Sequence, residues 1–240
     1  MQRLHPLTAA ILQCFILSAG FAVARADDPE MGLAFEQPDE EGTPEGWRRV
    51  LRKGTGSAKV AEHPGRTELQ TVTTAGLLRF EHDLDVTPMD DLRISWDWKV
   101  DKMPATPEYK PWNDDGRKAP YRTNSPIQVL VVFRERFSVY VIHYLWEPTV
   151  EVGYTWREKE TQRVVVNFDY IRTVVQSGRE KMQDWHSHER DLIADFKKFY
   201  PGKTPPKIIM VAIQCASCYA GEDETIESRA SISNLRLIRK

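Results

Sequence analysis

Every second residue from Leu92 to Val100 is apolar: Leu92, Ile94, Trp96, Trp98 and Val100 alternate with Arg93, Ser95, Asp97 and Lys99. A period of two puts the first set on one face of a pleated strand and the second set on the other. LRISWDWKV therefore predicts a half-buried strand whose tryptophans line a core. QVLVVF and SVYVIHYLW are apolar on both faces, which predicts central strands covered from both sides. Further β-like runs, GWRRVL, RTELQTVTT, GLLRFEHDLDV, RVVVNF, RTVVQS and KIIMVAI, are separated by Gly, Pro and charged clusters at the spacing of sandwiches and barrels. No repeat of fixed period is visible, which argues against a solenoid or propeller.

One segment leaves the period of two. In ERDLIADFKKFY, Leu192, Ile193, Phe196, Phe199 and Tyr200 recur at three-and-four spacing, the pattern of an amphipathic helix. Glu189 and Asp191 lie early and Lys197 and Lys198 late, which suits the helix dipole, and Pro201-Gly202 stops the run. A face this apolar predicts a helix capping an edge or end of the sandwich. The expected fold is mainly β, an antiparallel β-sandwich with one amphipathic helix near 188–200.

The chain has 240 residues, and its first 26 stand apart. Arg3 and His5 precede an apolar run from Leu7 to Val23, followed by Ala24-Arg25-Ala26, the small-x-small pattern of a secretory leader. The competing reading is an uncleaved anchor, since the run is close to the length of a spanning helix. Cleavage gives a mature chain from Asp27, with an acidic, turn-rich arm over 27–46 expected to be exposed and one sandwich domain over 47–240. No later segment is long and apolar enough to cross a bilayer, so the mature chain is expected to be periplasmic or secreted, with no membrane span.

Charge and cysteine content narrow the classes further. Lys and Arg total 33 against 35 Asp and Glu, a formal charge of −2, and loss of Arg3 and Arg25 with the leader takes it to −4. Nothing in that balance attracts a phosphate backbone, so nucleic acid is not an expected partner. Cys215 and Cys218 are the cysteines left after cleavage, too few for a disulfide-scaffolded mini-domain. In an oxidising compartment the pair is a disulfide candidate, although so short a ring stabilises by only about 2 kcal/mol. A redox role needs a helix after the pair, which GEDETIESR does not offer, and zinc needs two further ligands, with His186 and His188 the nearest in kind. Nothing resembles HExxH, GxSxG, a P-loop or a dinucleotide fingerprint, so no metal and no cofactor are expected.

Several runs together carry a resemblance. SWDWKVDKMP, the pair Asp114-Asp115, the VVF and YLW strands, VVQSG, Trp185 ahead of RDLIADF, PPKIIMVAI and the closing strand occur in an order that resembles the bacterial secreted family called domain of unknown function 3047, over about residues 45–238. The resemblance implies a secreted or periplasmic domain with a jelly-roll, concanavalin-like sandwich and no established activity. Two departures stand out. GRKAPYRTNSP separates Asp115 from Ile127, where the family keeps its acidic pair close to the next strand, and CASC replaces acidic residues after the VAI strand.

Candidate ligand contacts fall in two places. The irregular stretch 101–126 holds Trp112, Asp114, Asp115, Tyr121 and Arg122, and loops this long are functional or disordered. Aromatic faces beside carboxylates suit sugars. Tyr140, Ile142, Tyr144 and Trp146 share one strand face, opposite Val139, Val141, His143 and Leu145. That ladder is either a carbohydrate platform, with Tyr140, Tyr144 and His143 as contacts, or core filling. Asp184, His186, His188, Glu189 and Asp191 crowd what reads as the start of the helix, where capping is their ordinary work. Glycosidase chemistry needs two carboxyls at a defined separation, and Asp97, Asp114, Asp115, Glu135, Glu147 and Asp169 are too many to choose from.

The function these features favour is a non-catalytic module that binds an extracellular polysaccharide or envelope polymer. A glycan-cleaving hydrolase or lyase on the same scaffold is the alternative, and an envelope assembly module recognising protein at a sheet edge is a third.

Overall fold

The computed structural model describes residues 30–104, 124–162, 166–218 and 226–239. Along them run β1 (Glu30–Gly32), β2 (Arg48–His63), β3 (Arg66–Val86), β4 (Leu92–Lys102), β5 (Gln128–Glu135), β6 (Ser138–Glu147), β7 (Thr155–Gln162), β8 (Val166–Ser177), β9 (His186–Asp191), α1 (Leu192–Phe199), β10 (Lys207–Ala216) and β11 (Glu227–Arg239). The strands join one hydrogen-bonded sheet in the order β7-β8-β6-β5-β10-β3-β11-β4-β9, with β2 added on β3 and β1 on β11. The pairs are antiparallel except β6 with β8, which run parallel, so the sheet is mixed.

Strand β3 turns this one sheet into two layers. RTELQTVTT and GLLRFEHDLDV, which read as separate runs, are a single strand of 21 residues. Residues 68–74 pair with β11 and residues 77–86 with β10. Between the two stretches Ala75 takes a left-handed φ of 46°. On β2 opposite, Gly54 has a φ of 59°, and a Cβ there would lie 2.3 Å from the Ala75 carbonyl oxygen. Only glycine combines that backbone conformation with that approach. The first layer is β7-β8-β6-β5-β10 with the second half of β3; the second is the first half of β3 with β11-β4-β9. They face each other across aromatic contacts, Trp96 to Tyr144 at 5.4 Å between centroids and Trp98 to Trp146 at 6.0 Å.

The alternation in β4 holds, since Leu92, Ile94, Trp96, Trp98 and Val100 are all buried in the core. The aromatic ladder of β6 joins them: Tyr140, Ile142, Tyr144 and Trp146 are at most 4% exposed. This corrects the expectation of a sugar platform at Tyr140 and Tyr144. Each ring already has aromatic neighbours, Tyr140 with Phe196 and Tyr200, and Tyr144 with Trp96. Large apolar area of this kind is most stable inside.

The helix is shorter than predicted. Asp191 caps it, its carboxylate accepting from the Ile193 and Ala194 amides at 3.1 and 2.8 Å. His186–Asp191, expected at the start of the helix, form β9 on the edge of β4 instead. Alternation on that strand turns His186 and His188 the same way, toward the tryptophans. Phe196 packs on Phe133 and Tyr140 of the first layer, while the helix also lies against β4 and β9 of the second.

The acidic arm is not wholly exposed, because Leu33 and Phe35 are buried in the core and β1 pairs with β11. Its charged residues stay wet while its two large apolar ones are recruited, Phe35 lying 5.4 Å from Trp47. Among the described residues no helix is long and apolar enough to cross a membrane.

Candidate functional site

Alternation sends the second set of side chains in the first layer outward, away from the core and the helix. Leu130, Val132, Val139, Val141, Phe168, Met210 and Ala212 make a second apolar cluster there. Beside it, cross-strand pairing lines up a polar row. Arg48 of β2 faces Glu81 of β3; Arg79 faces Gln214 of β10, which faces Gln128 of β5. Next to Gln128, His143 of β6 faces Arg172 of β8, which faces Trp156 of β7. The row crosses seven strands, a distance of about 29 Å at the usual strand spacing.

Charge is ordered along this band. Arg48 Nη2 donates to Glu81 Oε2 at 2.5 Å, and Arg79 Nη1 lies 3.5 Å from Glu81 Oε1. At the other end Arg172 pairs with Glu158. Arg48 therefore stands at one end beside Glu81 and Arg79 of β3, Arg172 and Glu158 stand toward the other, and Gln214, Gln128 and His143 lie in the middle. Arg48, Arg79, Arg172 and Glu158 keep part of their side chains open to solvent, whereas His143, Gln128 and Glu81 are buried. The open members form a contact layer and the buried ones its floor.

His143 is the centre of that floor. Its Nδ1 lies 3.1 Å from Gln128 Oε1, and an amide oxygen only accepts, so the network assigns the ring proton to Nδ1. Nε2 is left as a buried lone pair with no hydrogen-bond partner. Burial holds the imidazole well below its ordinary range, and the charges of Arg172 and Arg79 push it down further. A neutral acceptor between two cationic donors matches a hydroxyl group, which donates once and accepts twice. Tyr170 adds an aromatic ring to the same face, stacked on Phe168 and lying under the Arg172 guanidinium.

The two carboxylates of the band do not make a hydrolytic pair. Glu81 on β3 and Glu158 on β7 are five strand spacings apart, about 24 Å along the sheet, whereas glycosidase carboxyls lie about 5 to 10 Å apart. Asp97 lies on β4 in the other layer, held by Asn234 at 2.6 Å, and Asp169 is bound by Arg157. Glu135 closes β5, and Glu147 is fully buried at the end of β6.

Of the residues singled out from sequence, Trp112, Asp114, Asp115, Tyr121 and Arg122 lie outside the described residues. Tyr140 and Tyr144 face the core, and His143 alone of that strand's candidates belongs to the band. No disulfide joins Cys215 to Cys218, which corrects the expectation of one. Cys215 points from β10 into the core, its sulfur 3.0 Å from Thr71 Oγ1, and burial pushes its thiol up to about 12. His186 packs on Trp146, and His188 packs on Trp96 and Trp98, held down to about 4 chiefly by burial. Both rings serve the aromatic core. Among the described residues no group of three or more His, Cys, Asp or Glu side chains is placed to hold a metal.

Sequence reading missed Arg48, Arg79, Glu81, Gln128, Gln214, Glu158 and Arg172. A local signal was present, because His143 interrupts Val139, Val141 and Leu145, and Gln128 precedes Leu130 and Val132 on the same face. The register that aligns them across strands is a property of the fold.

A family model described as Protein of unknown function (DUF3047) matches residues 45–228. Among solved structures, a family 11 carbohydrate-binding module from Clostridium thermocellum, in complex with a β-1,3-1,4-mixed-linked tetrasaccharide, aligns at 14% identity with a TM-score of 0.41. That alignment covers 88% of this chain and 95% of the module. The family 11 xylanase from Neocallimastix patriciarum aligns at 12% identity and a TM-score of 0.40, over 86% of this chain and 96% of the xylanase. Overlap at this level says nothing about activity. No curated protein matches the chain.

Proposed function

The chain belongs to the family described as Protein of unknown function (DUF3047), and from that premise we propose that it is a non-catalytic module that binds a linear glycan or envelope polymer outside the cytoplasm. The polymer lies across the strands of the first layer, along the band from Arg48 to Trp156. The observation that carries this reading is the pairing of His143 Nε2, a buried acceptor with no partner, with guanidiniums on both sides. A polyol fills such a floor with donors and acceptors together. An apolar ligand leaves it empty, and burial of an unmatched lone pair is costly. The 24 Å spread of the band's carboxylates favours holding over cleaving. The extracytoplasmic location rests on the leader pattern of residues 1–26.

The test is a polysaccharide array on the purified protein, with retention and reducing-end release both measured. Retention without release is the expected result. Release of new reducing ends overturns the non-catalytic reading, and silence in both channels overturns glycan binding. Sequencing the amino terminus of the protein from fractionated cells tests location, with Asp27 as the expected first residue.

A further inference from the structure

The end of the sandwich that α1 caps carries a surface of its own, away from the polar band. Four pieces of chain meet there. Helix α1 buries Phe196 on Phe133 and Tyr140 and leaves Lys197 and Lys198 exposed. The turn from β3 to β4 is tied to it by Lys197 Nζ, 3.4 Å from Asp90 Oδ1. Lys207, at the start of β10, reaches Asp85 of β3 at 2.6 Å and stands opposite Arg134 of β5. The hairpin tip Arg136-Phe137, between β5 and β6, completes the group.

Four large apolar side chains stand exposed among the described residues, and two of them are here: Phe137 is 61% exposed and Met89, in the turn from β3 to β4, 56%. Arg136 holds a left-handed φ of 50°, where Gly or Asn is the usual occupant of a hairpin tip. As a bare connection, the tip needs neither this arginine nor a phenylalanine in water. Charge at this end runs against that of the chain, whose formal total is −2. Asp85 and Asp90 are taken by Lys207 and Lys197, and Asp91 and Glu135 remain. Against them stand Arg134, Arg136, Lys198 and Lys203. Of these, Lys198 lies over the Phe199 ring and Lys203 over that of Tyr140.

We infer that this end docks on an anionic phospholipid surface, with Phe137 and Met89 entering the boundary of headgroups and acyl chains and the four cations meeting phosphates. Surface binding of this kind sums apolar burial and attraction to anionic lipid. The two apolar side chains stand on separate turns, each among charged neighbours. A bilayer takes in each tip by itself, whereas a protein partner needs a contiguous apolar core. A soluble polyanion engages the cations and leaves Phe137 in water. None of the band's residues belongs to this end, so lipid docking and glycan binding stand or fall separately.

The experiment is co-sedimentation of the full chain with vesicles of phosphatidylcholine alone and of phosphatidylcholine mixed with phosphatidylglycerol. Affinity for the anionic vesicles is expected to exceed that for the neutral ones by at least about tenfold at low salt, and the gap should close as salt rises. Phe137→Ser should weaken anionic binding by about tenfold, and Arg136→Gln with Lys198→Gln by a similar factor. Val152→Ser removes an exposed apolar side chain just beyond the opposite end of β6 and should change nothing. All these side chains are exposed, and should any variant still fail to fold, the two vesicle types on the unaltered chain decide alone. Equal affinity for both vesicles, or binding to neither, overturns the inference and leaves glycan binding standing. Anionic binding that the cation variant loses and Phe137→Ser keeps in full overturns lipid docking in favour of a soluble polyanion.

Discussion

The phenol of Tyr144 donates to Asp195 Oδ2 at 2.9 Å, so a strand in the first layer and the first turn of the helix are tied together inside the protein. Arg190 of β9 grips the same carboxylate with two bonds of 2.7 and 2.9 Å. Burial, then the Asp195 charge, hold the Tyr144 phenol protonated far above its ordinary range. Asp195→Ala leaves a buried hydroxyl and a half-buried guanidinium without their shared acceptor and should cost about 3 kcal/mol. Tyr144→Phe removes one bond and leaves the ion pair, at about 1 kcal/mol. Urea unfolding of the two variants and the double variant checks both values, and the two effects should not add, because they share one carboxylate.

The corner of β3 rests on a glycine of its partner strand. Gly54→Ala meets the Ala75 carbonyl at 2.3 Å from a left-handed backbone, so it should destabilise by more than about 2 kcal/mol. Gly65 also has a positive φ but has open space around its Cβ position, and Gly65→Ala should cost only about 1 kcal/mol. Thermal unfolding of the two variants side by side separates crowding from backbone strain.

Packing of His188 against Trp96 and Trp98 gives stability a pH dependence. Its folded pKa of about 4 lies below the ordinary value of 6.5, so the unfolded chain takes up the proton more readily. The contribution of the neutral ring is intact above pH 6.5 and is lost as pH falls toward 4. His188→Phe keeps a ring in that place and removes the titration. The stability of this variant relative to the unaltered chain should be constant above pH 6.5 and rise by about 2 kcal/mol between pH 6.5 and 4. A flat difference across that range contradicts the buried, neutral assignment.

Thiol chemistry follows from the fate of Cys215. Its sulfur is fully enclosed and its thiol is pushed up to about 12, so alkylation in the native state should spare it. After denaturation Cys215 should become labelled, and reductant should not change the unfolding temperature. A drop in that temperature on reduction indicates a Cys215–Cys218 bond that this structure does not contain.

Much of the fold was legible along the chain. The alternation around Trp96 and Trp98 identified β4 and its buried face, because burial on one side leaves a period of two in any sequence. The three-and-four spacing of Leu192, Ile193, Phe196 and Phe199 located the helix for the same reason. His186 and His188 misled, because a polar segment just before a helix reads as its cap, while their strand character comes from pairing with β4. Tyr140 and Tyr144 left both options open, since an aromatic face looks the same on a core and on a platform. The polar band was illegible: Arg48 and Arg172 stand more than a hundred residues apart, and only the pairings of β2, β3, β10, β5, β6 and β8 bring them into one row.

The most direct test of the central claim is the imidazole nitrogen spectrum of His143, assigned with a His143→Gln variant and followed while a retained polysaccharide is titrated in. The account predicts a neutral ring protonated on Nδ1 in the free protein, with the Nε2 resonance moving as it accepts a hydroxyl from the bound polymer. An Nε2 resonance that stays fixed while the polymer binds to saturation contradicts it and places the binding surface elsewhere.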